Sequence, residues 1–374
     1  MLIDLHLQNS ENSDNLLDCR INSIVALLAY YNVSVNNYDI FLLSECITIT
    51  YGKINFYQQN VLDIPFIVAS HDNVENNVFN NLGISYKIEK FDDSCESWDK
   101  MKSLLETGTP LLVKMDDRIL KTDKNGCKKE RIKIHFLSLP LLVGYSDNEE
   151  EVQVFWTNSN TTYYPMQLKI QDFHIYRSTE CIPYSPDWKC IYILNISSGK
   201  NSELYSKIIK EALYRTAKAM IDSTNIPTPE LQELGCHYCM SGIQAIKKLE
   251  TDLMSLKWDI LKKDTSRKQL LFSLMLIRNT LLNGTFSAYR EEFGKALKAY
   301  GEKSNCEYIC VIGENFLKIS DYWKKFIALI GQIIHKKNGG YGLYIQMCKT
   351  LHQIYEEEKK AFEGIVLYCE NEFN

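Results

Sequence analysis

The hydrophobic pattern changes near residue 197, and this change constrains the fold more than any other feature of the sequence. Before it, short β-branched or aromatic runs end in clusters of Gly, Asn, Asp and Ser, a pattern typical of an antiparallel sheet. After it, apolar residues recur at helical spacing from Glu203 to Asn374. The sequence therefore predicts an α+β domain over residues 1–197 and an all-α helical domain, a bundle of roughly five to seven helices, over residues 198–374.

One helix is predicted near the N-terminus, from Cys19 to Tyr31, because Ile21, Ile24 and Leu28 fall on one face at helical spacing. The remainder of the first domain is predicted to consist mainly of strands and loops. The clearest strand runs are residues 110–114, 134–145, 151–156 and 190–194.

The charge balance and the apolar runs exclude two broad classes of function. The 42 Lys and Arg residues are outnumbered by 47 Asp and Glu residues, and no basic stripe or tail favours nucleic acid as a partner. The apolar runs are too short to span a bilayer, and the N-terminus does not show the pattern of an export signal. We therefore expect a cytoplasmic protein, without membrane attachment, whose twelve cysteines are reduced thiols.

A Cys-x-x-Cys pattern occurs at Cys236 and Cys239. A zinc site needs four ligands, and no second pair of cysteines or histidines follows at metal-like spacing. The pattern is therefore interpreted as a polar loop beside a helix, and no metal site is predicted.

Three residues of the first domain follow the order of a cysteine nucleophile, its base and an orienting group. Cys19 lies at the predicted start of a helix, where unpaired N–H groups and the helix dipole favour a thiolate and can stabilise an oxyanion. His135 opens one strand run and Asn158 follows the next, so antiparallel pairing would bring these two side chains together. Each residue alone also fits a structural role, as a buried thiol, a core histidine or a turn asparagine. In combination, they indicate a papain-like Cys–His–Asn site.

Several stretches around these residues resemble the butirosin-biosynthesis acyltransferase family, in the family's own order. The first contains Cys19, and the last runs from the strand of His135 to Asn158. A weaker resemblance to the helical domain that often follows in this family rests on Asn283 to Glu302. The stretches of the first domain are residues 18–33, 43–57, 106–120 and 134–158.

The resemblance implies a papain-like cysteine-protease fold and an enzyme that moves an acyl group from the phosphopantetheine thioester of a carrier protein onto an amine. It maps the nucleophile onto Cys19 and the base onto His135. The third triad position is usually Asp in the family and is Asn158 here. The family's glycine-rich stretch is altered after Ser44 and Glu45, which implies a different shape of the acyl pocket.

The resemblance also suggests how the oxyanion and the substrates are held. Ser13 lies six residues before Cys19, where papain-like enzymes place their oxyanion-hole Gln, and Asn12 or Asn15 could take the same role. No bound cofactor is expected, because the acyl group arrives on the phosphopantetheine arm of the carrier. The acceptor is expected to be a small primary amine or a diamine such as diaminopropane.

Two groups of charged residues are candidates for recognising these substrates. Asp116 and Asp117 could form an acidic recess for a diamine, although a turn cap or a solvated pair fits them equally well. An acidic carrier protein would dock on a basic patch. The densest basic cluster of the helical half, which a solvated helix end also explains, is Lys262, Lys263, Arg267 and Lys268.

Two other functions fit the same sequence. A cysteine peptidase or amidase would use the same triad, with water rather than an amine as the acceptor. A non-enzymatic carrier-binding protein would need no reactive thiol at Cys19. The residue pattern alone does not separate these alternatives from an acyltransferase.

Overall fold

The computed structural model of the protein describes residues 2–3, 19–54, 64–70, 73–116, 138–155, 165–178, 186–196, 202–223, 236–255, 264–282, 288–335 and 340–373. The chain folds into two compact units. The first is built from Met1–Ile40 and Val74–Lys200, and the second from Phe41–Asn73 and Asn201–Asn374. Each unit is therefore made of two separate segments of the chain.

A six-stranded antiparallel sheet is the main element of the first unit. Its strands are β3 (Ile84–Glu89), β4 (Leu111–Val113), β5 (Leu141–Tyr145), β6 (Glu151–Phe155), β7 (Pro165–Lys169) and β8 (Cys190–Ile196). They lie in the order β3-β8-β4-β5-β6-β7, and each neighbouring pair is antiparallel. The predicted antiparallel sheet is thus confirmed, with β4, β5, β6 and β8 in the four predicted runs.

The first unit contains more helix than the sequence pattern predicted. The predicted first helix is confirmed as α1, and four more described helices precede residue 197. They are α1 (Cys19–Tyr30), α2 (Asn37–Leu43), α3 (Val74–Asn81), α4 (Ser94–Glu106) and α5 (Ile170–Ser178). The expectation of a single helix in this region was therefore wrong. Helices α2, α3 and α5 have only 7, 8 and 9 residues, which is too short for a clear helical periodicity in the sequence.

Helix α1 packs against β4 and β5 through an apolar face. Ile21, Ile24, Leu27 and Leu28 are at most 1% exposed, so this helix is held mainly by burial of aliphatic side chains. Its C-terminal end is held separately, because the Tyr30 hydroxyl donates a hydrogen bond of 2.6 Å to a backbone carbonyl oxygen in the turn after α4.

The second unit combines six described helices with a three-stranded antiparallel sheet. The strands are β1 (Ile47–Ile54), β2 (Ile64–Ser70) and β9 (Cys236–Ser241), in the order β2-β1-β9. The helices are α6 (Ser202–Asp222), α7 (Ile243–Ser255), α8 (Asp264–Leu282), α9 (Arg290–Lys303), α10 (Glu307–His335) and α11 (Tyr341–Phe373). The predicted helical character of the C-terminal half is confirmed, and it includes one strand.

Strand β9 corrects two predictions from the sequence. The C-terminal half is not all-α, and Cys236–Ser241 forms a strand rather than a polar loop. The strand with which β9 pairs, β1, lies far away in the sequence, so local patterns do not indicate it. For the same reason, residues 41–73 lie in the second unit, whereas the predicted boundary at 197 placed them in the first domain. The observed division at Lys200 is close to that boundary.

An ion pair without solvent exposure lies in the core of the second unit. Arg290 Nε and Nη2 lie 2.8 and 2.9 Å from the two carboxylate oxygens of Glu358, and both side chains are 0% exposed. The indole Nε1 of Trp323 donates to the same carboxylate at 2.6 Å. This cluster links α9, α10 and α11.

Helices α9 and α10 approach each other closely where both carry glycine. A Cβ atom placed on Gly294 would lie 2.8 Å from the carbonyl oxygen of Gly313. This is a steric clash that could be removed only by moving the backbone. The small residues therefore set the spacing of this helix pair. None of the helices in the described ranges is both long and apolar enough to cross a membrane.

Candidate active site

Cys19 is the first residue of α1, as predicted. Its side chain is partly exposed, and it belongs to a helix that is buried along most of its length. The first N–H groups of a helix have no partner within the helix and carry partial positive charge. A thiol at this position can therefore ionise more readily, and the same N–H groups can bind an oxyanion.

The residue after Cys19 is held by a two-point ion pair. Arg20 Nε lies 2.6 Å from Glu75 Oε1, and Arg20 Nη2 lies 2.8 Å from Glu75 Oε2. Arg20 is 15% exposed and Glu75 only 3%. The pair ties the first turn of α1 to the first turn of α3.

Two polar groups one turn further along α1 are buried and have no hydrogen-bond partner in the part of the chain that the structure describes. They are the amide nitrogen Nδ2 of Asn22 and the hydroxyl of Ser23, whose residues are 0% and 2% exposed. The other amide atom of Asn22, Oδ1, accepts a hydrogen bond of 2.9 Å from Asn37 Nδ2. Unpartnered buried polar groups are rare in proteins, so their position three and four residues after Cys19 marks this part of α1 as unusual.

Four strand ends meet at one end of the six-stranded sheet. Leu141 at the start of β5 pairs with Phe155 at the end of β6, and Val113 at the end of β4 pairs with Cys190 at the start of β8. The predicted adjacency of a strand start and the end of the next strand is therefore confirmed for β5 and β6. His135 lies six residues before Leu141, and Asn158 three residues after Phe155, in segments that connect to this end of the sheet.

Asp116 follows β4 at the same end of the sheet. It is 1% exposed, and its backbone N–H donates to the carbonyl oxygen of Tyr176 at 2.8 Å. Just before it, Met115 forms a backbone bridge with Ser138. Of the alternatives left open for Asp116, burial excludes the solvated one, because the residue lies inside the first unit.

The other predicted site residues lie outside the described residues. They are Ser13, Asp117, His135 and Asn158. In the predicted basic cluster, Lys262 and Lys263 also lie outside, the side chain of Arg267 is not described, and Lys268 is exposed on α8. The described cysteines form no disulfide. In the described ranges no three His, Cys, Asp or Glu side chains come together as metal ligands.

Glu75 is the residue near Cys19 that the sequence did not indicate. It lies 55 residues from Arg20, beyond a segment that belongs to the second unit, so no local spacing connects the two. A single signal was present in the sequence. Arg20 directly follows the candidate nucleophile, and a charged residue in the first turn of a buried helix needs a partner.

A comparison with known protein families finds a match to part of the N-terminal half of the chain. Residues 18–155 match the model of the family described as butirosin biosynthesis protein H, N-terminal. The match begins one residue before Cys19, includes Asp116, Asp117 and His135, and ends three residues before Asn158. No curated protein sequence matches the chain. Residues 18–155, which are 138 of the 374 residues, are therefore similar to the N-terminal region of that family.

Proposed function

We propose that this protein is a biosynthetic N-acyltransferase that forms amides through an acyl–Cys19 intermediate. The acyl group comes from the phosphopantetheine thioester of a carrier protein, and the acceptor is a primary amine or a diamine. The proposal includes a papain-like fold for the first unit and the triad Cys19, His135 and Asn158. Its main support is the family match, which covers both Cys19 and His135.

The position of Cys19 gives the proposal its chemistry. Cys19 opens a helix whose apolar face packs on the sheet, and the sheet brings the start of β5 and the end of β6 together. The segments that contain His135 and Asn158 are attached to those two strand ends. A cysteine nucleophile requires a base beside it and a third group that orients the base. Neighbouring strand ends are suited to carry these two groups.

In the proposed reaction, His135 takes the proton of the Cys19 thiol while Asn158 orients the imidazole. The thiolate attacks the thioester carbonyl, the carbon–sulfur bond to phosphopantetheine breaks, and the leaving thiolate takes the proton from His135. The amine then attacks the acyl–cysteine, and its proton passes through His135 to the departing Cys19 sulfur. The N–H groups at the start of α1, together with Ser13, bind the oxyanion of both tetrahedral intermediates.

The acceptor amine is the less defined substrate. Asp116 is buried just after β4 and is followed in the sequence by Asp117, and the negative charge of two consecutive carboxyl groups supports recognition of a cationic second amine. This would favour a diamine such as diaminopropane. A diamine acceptor also supports a narrower proposal, that this chain resembles the amide-forming enzyme of closthioamide assembly.

The test is mass spectrometry of the protein after incubation with a model acyl thioester. We expect an acyl mass on Cys19, its loss when a primary amine is added, and formation of the corresponding amide. Cys19→Ala should reduce amide formation by at least about 1000-fold, since removal of a covalent nucleophile removes the route itself.

A matched control is Cys95→Ala. Cys95 is an exposed cysteine in the first turn of α4, so it shares the helix N-terminal position but has no place in the proposed triad. This variant should keep full activity. If Cys95 becomes acylated as readily as Cys19, the thiol at α1 is not a dedicated nucleophile.

The same assay separates the alternative functions. Release of free acid at a rate that does not respond to added amine would identify a hydrolase. Full pathway activity in Cys19→Ala would identify a non-enzymatic carrier-binding protein. Either result would contradict the proposed transferase.

A further inference from the structure

We propose that Arg20 and Glu75 are positioning residues that hold Cys19 and the first N–H groups of α1 in place for acylation. This inference rests on the proposed role of Cys19 as the nucleophile. It adds two residues to the machinery that neither belong to the triad nor touch the substrate in the proposed reaction.

The geometry of the pair is suited to holding a helix end. Two parallel contacts, at 2.6 and 2.8 Å, fix both the distance and the rotation of the Arg20 guanidinium against the Glu75 carboxylate. Because Glu75 is 3% exposed and Arg20 is 15% exposed, solvent screens the pair weakly. A single contact made by a flexible ammonium group would fix only the distance.

Glu75 is itself firmly placed. It lies in the first turn of α3, where the helix dipole favours a carboxylate. Val78 and Phe79 of the same helix are 0% exposed. The ring of Phe79 contacts that of Tyr86 in β3, with the ring centroids 5.0 Å apart, and the Tyr86 hydroxyl donates to Asn76 Oδ1 at 3.2 Å. Helix α3 is thereby anchored to the edge strand of the sheet.

The first turn of α1 needs such an anchor. Helix ends fray because their terminal backbone groups lack partners within the helix. Among the described residues of α1, the buried apolar side chains start at Ile21, so packing within this helix acts only after the nucleophile. A displacement of about 1 Å in a reacting group can reduce a rate by about 100-fold. Fixing residue 20 therefore limits the movement of Cys19 next to it.

The experiment measures single-turnover acylation of Cys19 by a model acyl thioester over a range of thioester concentrations. In Glu75→Gln we expect the limiting rate of acylation to fall by about 10- to 100-fold, with little change in the concentration that gives half the limiting rate. Arg20→Gln should show the same loss. Arg20→Lys, which keeps one contact of the two, should recover part of it.

Two controls separate positioning from general stability. Tyr30→Phe removes the hydrogen bond that anchors the opposite end of α1, and Val78→Ala weakens the packing of α3 without removing the ion pair. Both should acylate at close to the wild-type limiting rate at a temperature where all variants are folded. Thermal unfolding of each variant confirms that condition.

The outcomes distinguish this inference from the proposed function. If the wild-type protein is not acylated on Cys19 at all, the proposed function is wrong. If the wild type is acylated and Glu75→Gln and Arg20→Lys match its rate, the positioning role is wrong and the nucleophile stands. If Val78→Ala slows acylation as much as Glu75→Gln, the pair serves only stability and the inference is overturned. If Glu75→Gln fails to fold, the limiting acylation rates of Arg20→Lys and Tyr30→Phe are compared instead. A slower rate in Arg20→Lys supports the positioning role, and equal rates overturn it.

Discussion

Two arginines, one in each unit, are fully buried but are stabilised differently. In the second unit, Arg290 binds the carboxylate of Glu358 at two points. In the first unit, Arg177 is also 0% exposed, but its four described hydrogen bonds go to neutral groups and none of the described carboxylates pairs with it. Its acceptors are Ser97 Oγ, Met101 Sδ and the carbonyl oxygens of Trp188 and Lys189.

The difference shows two ways of burying the same charge. A carboxylate partner compensates Arg290 fully, so each member of that pair depends on the other. Arg177 is solvated by dipoles and by the faces of Phe173 and Trp188, whose ring centroids lie 5.2 and 5.7 Å from its guanidinium carbon. Burial lowers the pKa of Arg177 to about 10, which is the expected consequence of a charge without a full counter-charge.

The largest effect should come from breaking the compensated pair. Glu358→Gln keeps the shape of the side chain but leaves Arg290 buried without a counter-charge, so the free energy of unfolding should fall by about 3–5 kcal/mol. Urea unfolding followed by circular dichroism measures this. Glu363→Gln, on the same helix but in an exposed pair with Lys359, is the control and should cost under about 1 kcal/mol. Equal losses in the two variants would mean that burial of the pair has no special consequence.

A smaller effect should follow when the uncompensated arginine is removed. Arg177→Met leaves the carbonyl oxygens of Trp188 and Lys189 short of a donor, but it also removes the cost of burying a charge. We expect the free energy of unfolding to fall by about 1–3 kcal/mol, measured in the same way. The companion variant is Arg290→Met, which leaves the Glu358 carboxylate buried without its counter-charge. Its free energy of unfolding should fall clearly more. If Arg177→Met loses more free energy of unfolding than Arg290→Met, dipoles compensate a buried charge as well as a carboxylate does.

The smallest effect is electrostatic and concerns His174, next to Arg177 on α5. Burial lowers the pKa of His174 from its ordinary value of 6.5, and the positive charge of Arg177 lowers it further. In Arg177→Met this pKa should rise towards 6.5 but stay below it, because burial is the larger cause. Titration of the imidazole by NMR measures the shift. An unchanged pKa would mean that the charge of Arg177 is screened from its neighbour.

The direction of this pKa shift also predicts how the stability of the folded protein depends on pH. Because the folded protein holds His174 with a lowered pKa, the unfolded chain binds more protons as the pH falls below 6.5. The stability contributed by neutral His174 is therefore present above pH 6.5 and is lost as the pH falls towards the folded pKa. The loss should be smaller in Arg177→Met than in the wild type.

Local periodicity was sufficient to predict the elements whose apolar residues are close in sequence. Helix α1 begins at Cys19 as expected, and the long helices after Glu203 follow their apolar spacing. Helix α4 was missed although its signals were present, since Asp93 caps it with hydrogen bonds of 2.8 and 2.9 Å and Trp98, Met101 and Leu105 share its buried face. Strand β9 carried no such signal, because its place depends on β1, far away in the chain.

The candidate site also has features that local sequence patterns predict and features that depend on long-range packing. The helix start at Cys19 and the adjacency of β5 and β6 follow from local patterns and from antiparallel pairing. The burial of Asp116 and the ion pair from Arg20 to Glu75 depend on tertiary packing, which spacing along the chain does not encode. The roles of His135 and Asn158 stay predictions.

The pairing of β1 with β9 gives this chain a particular order of events during its synthesis. Strand β1 ends at Ile54 and β9 begins at Cys236, so 182 residues must be translated before the partner arrives. At about 5–20 residues per second, the ribosome needs roughly 10–40 s for that distance. Among the described strands, β1 has for that interval only β2 beside it, and its other edge is open to pairing with other nascent chains. A polypeptide ending near residue 197 would keep that edge open permanently, so the N-terminal half is best produced together with the segment that contains β9.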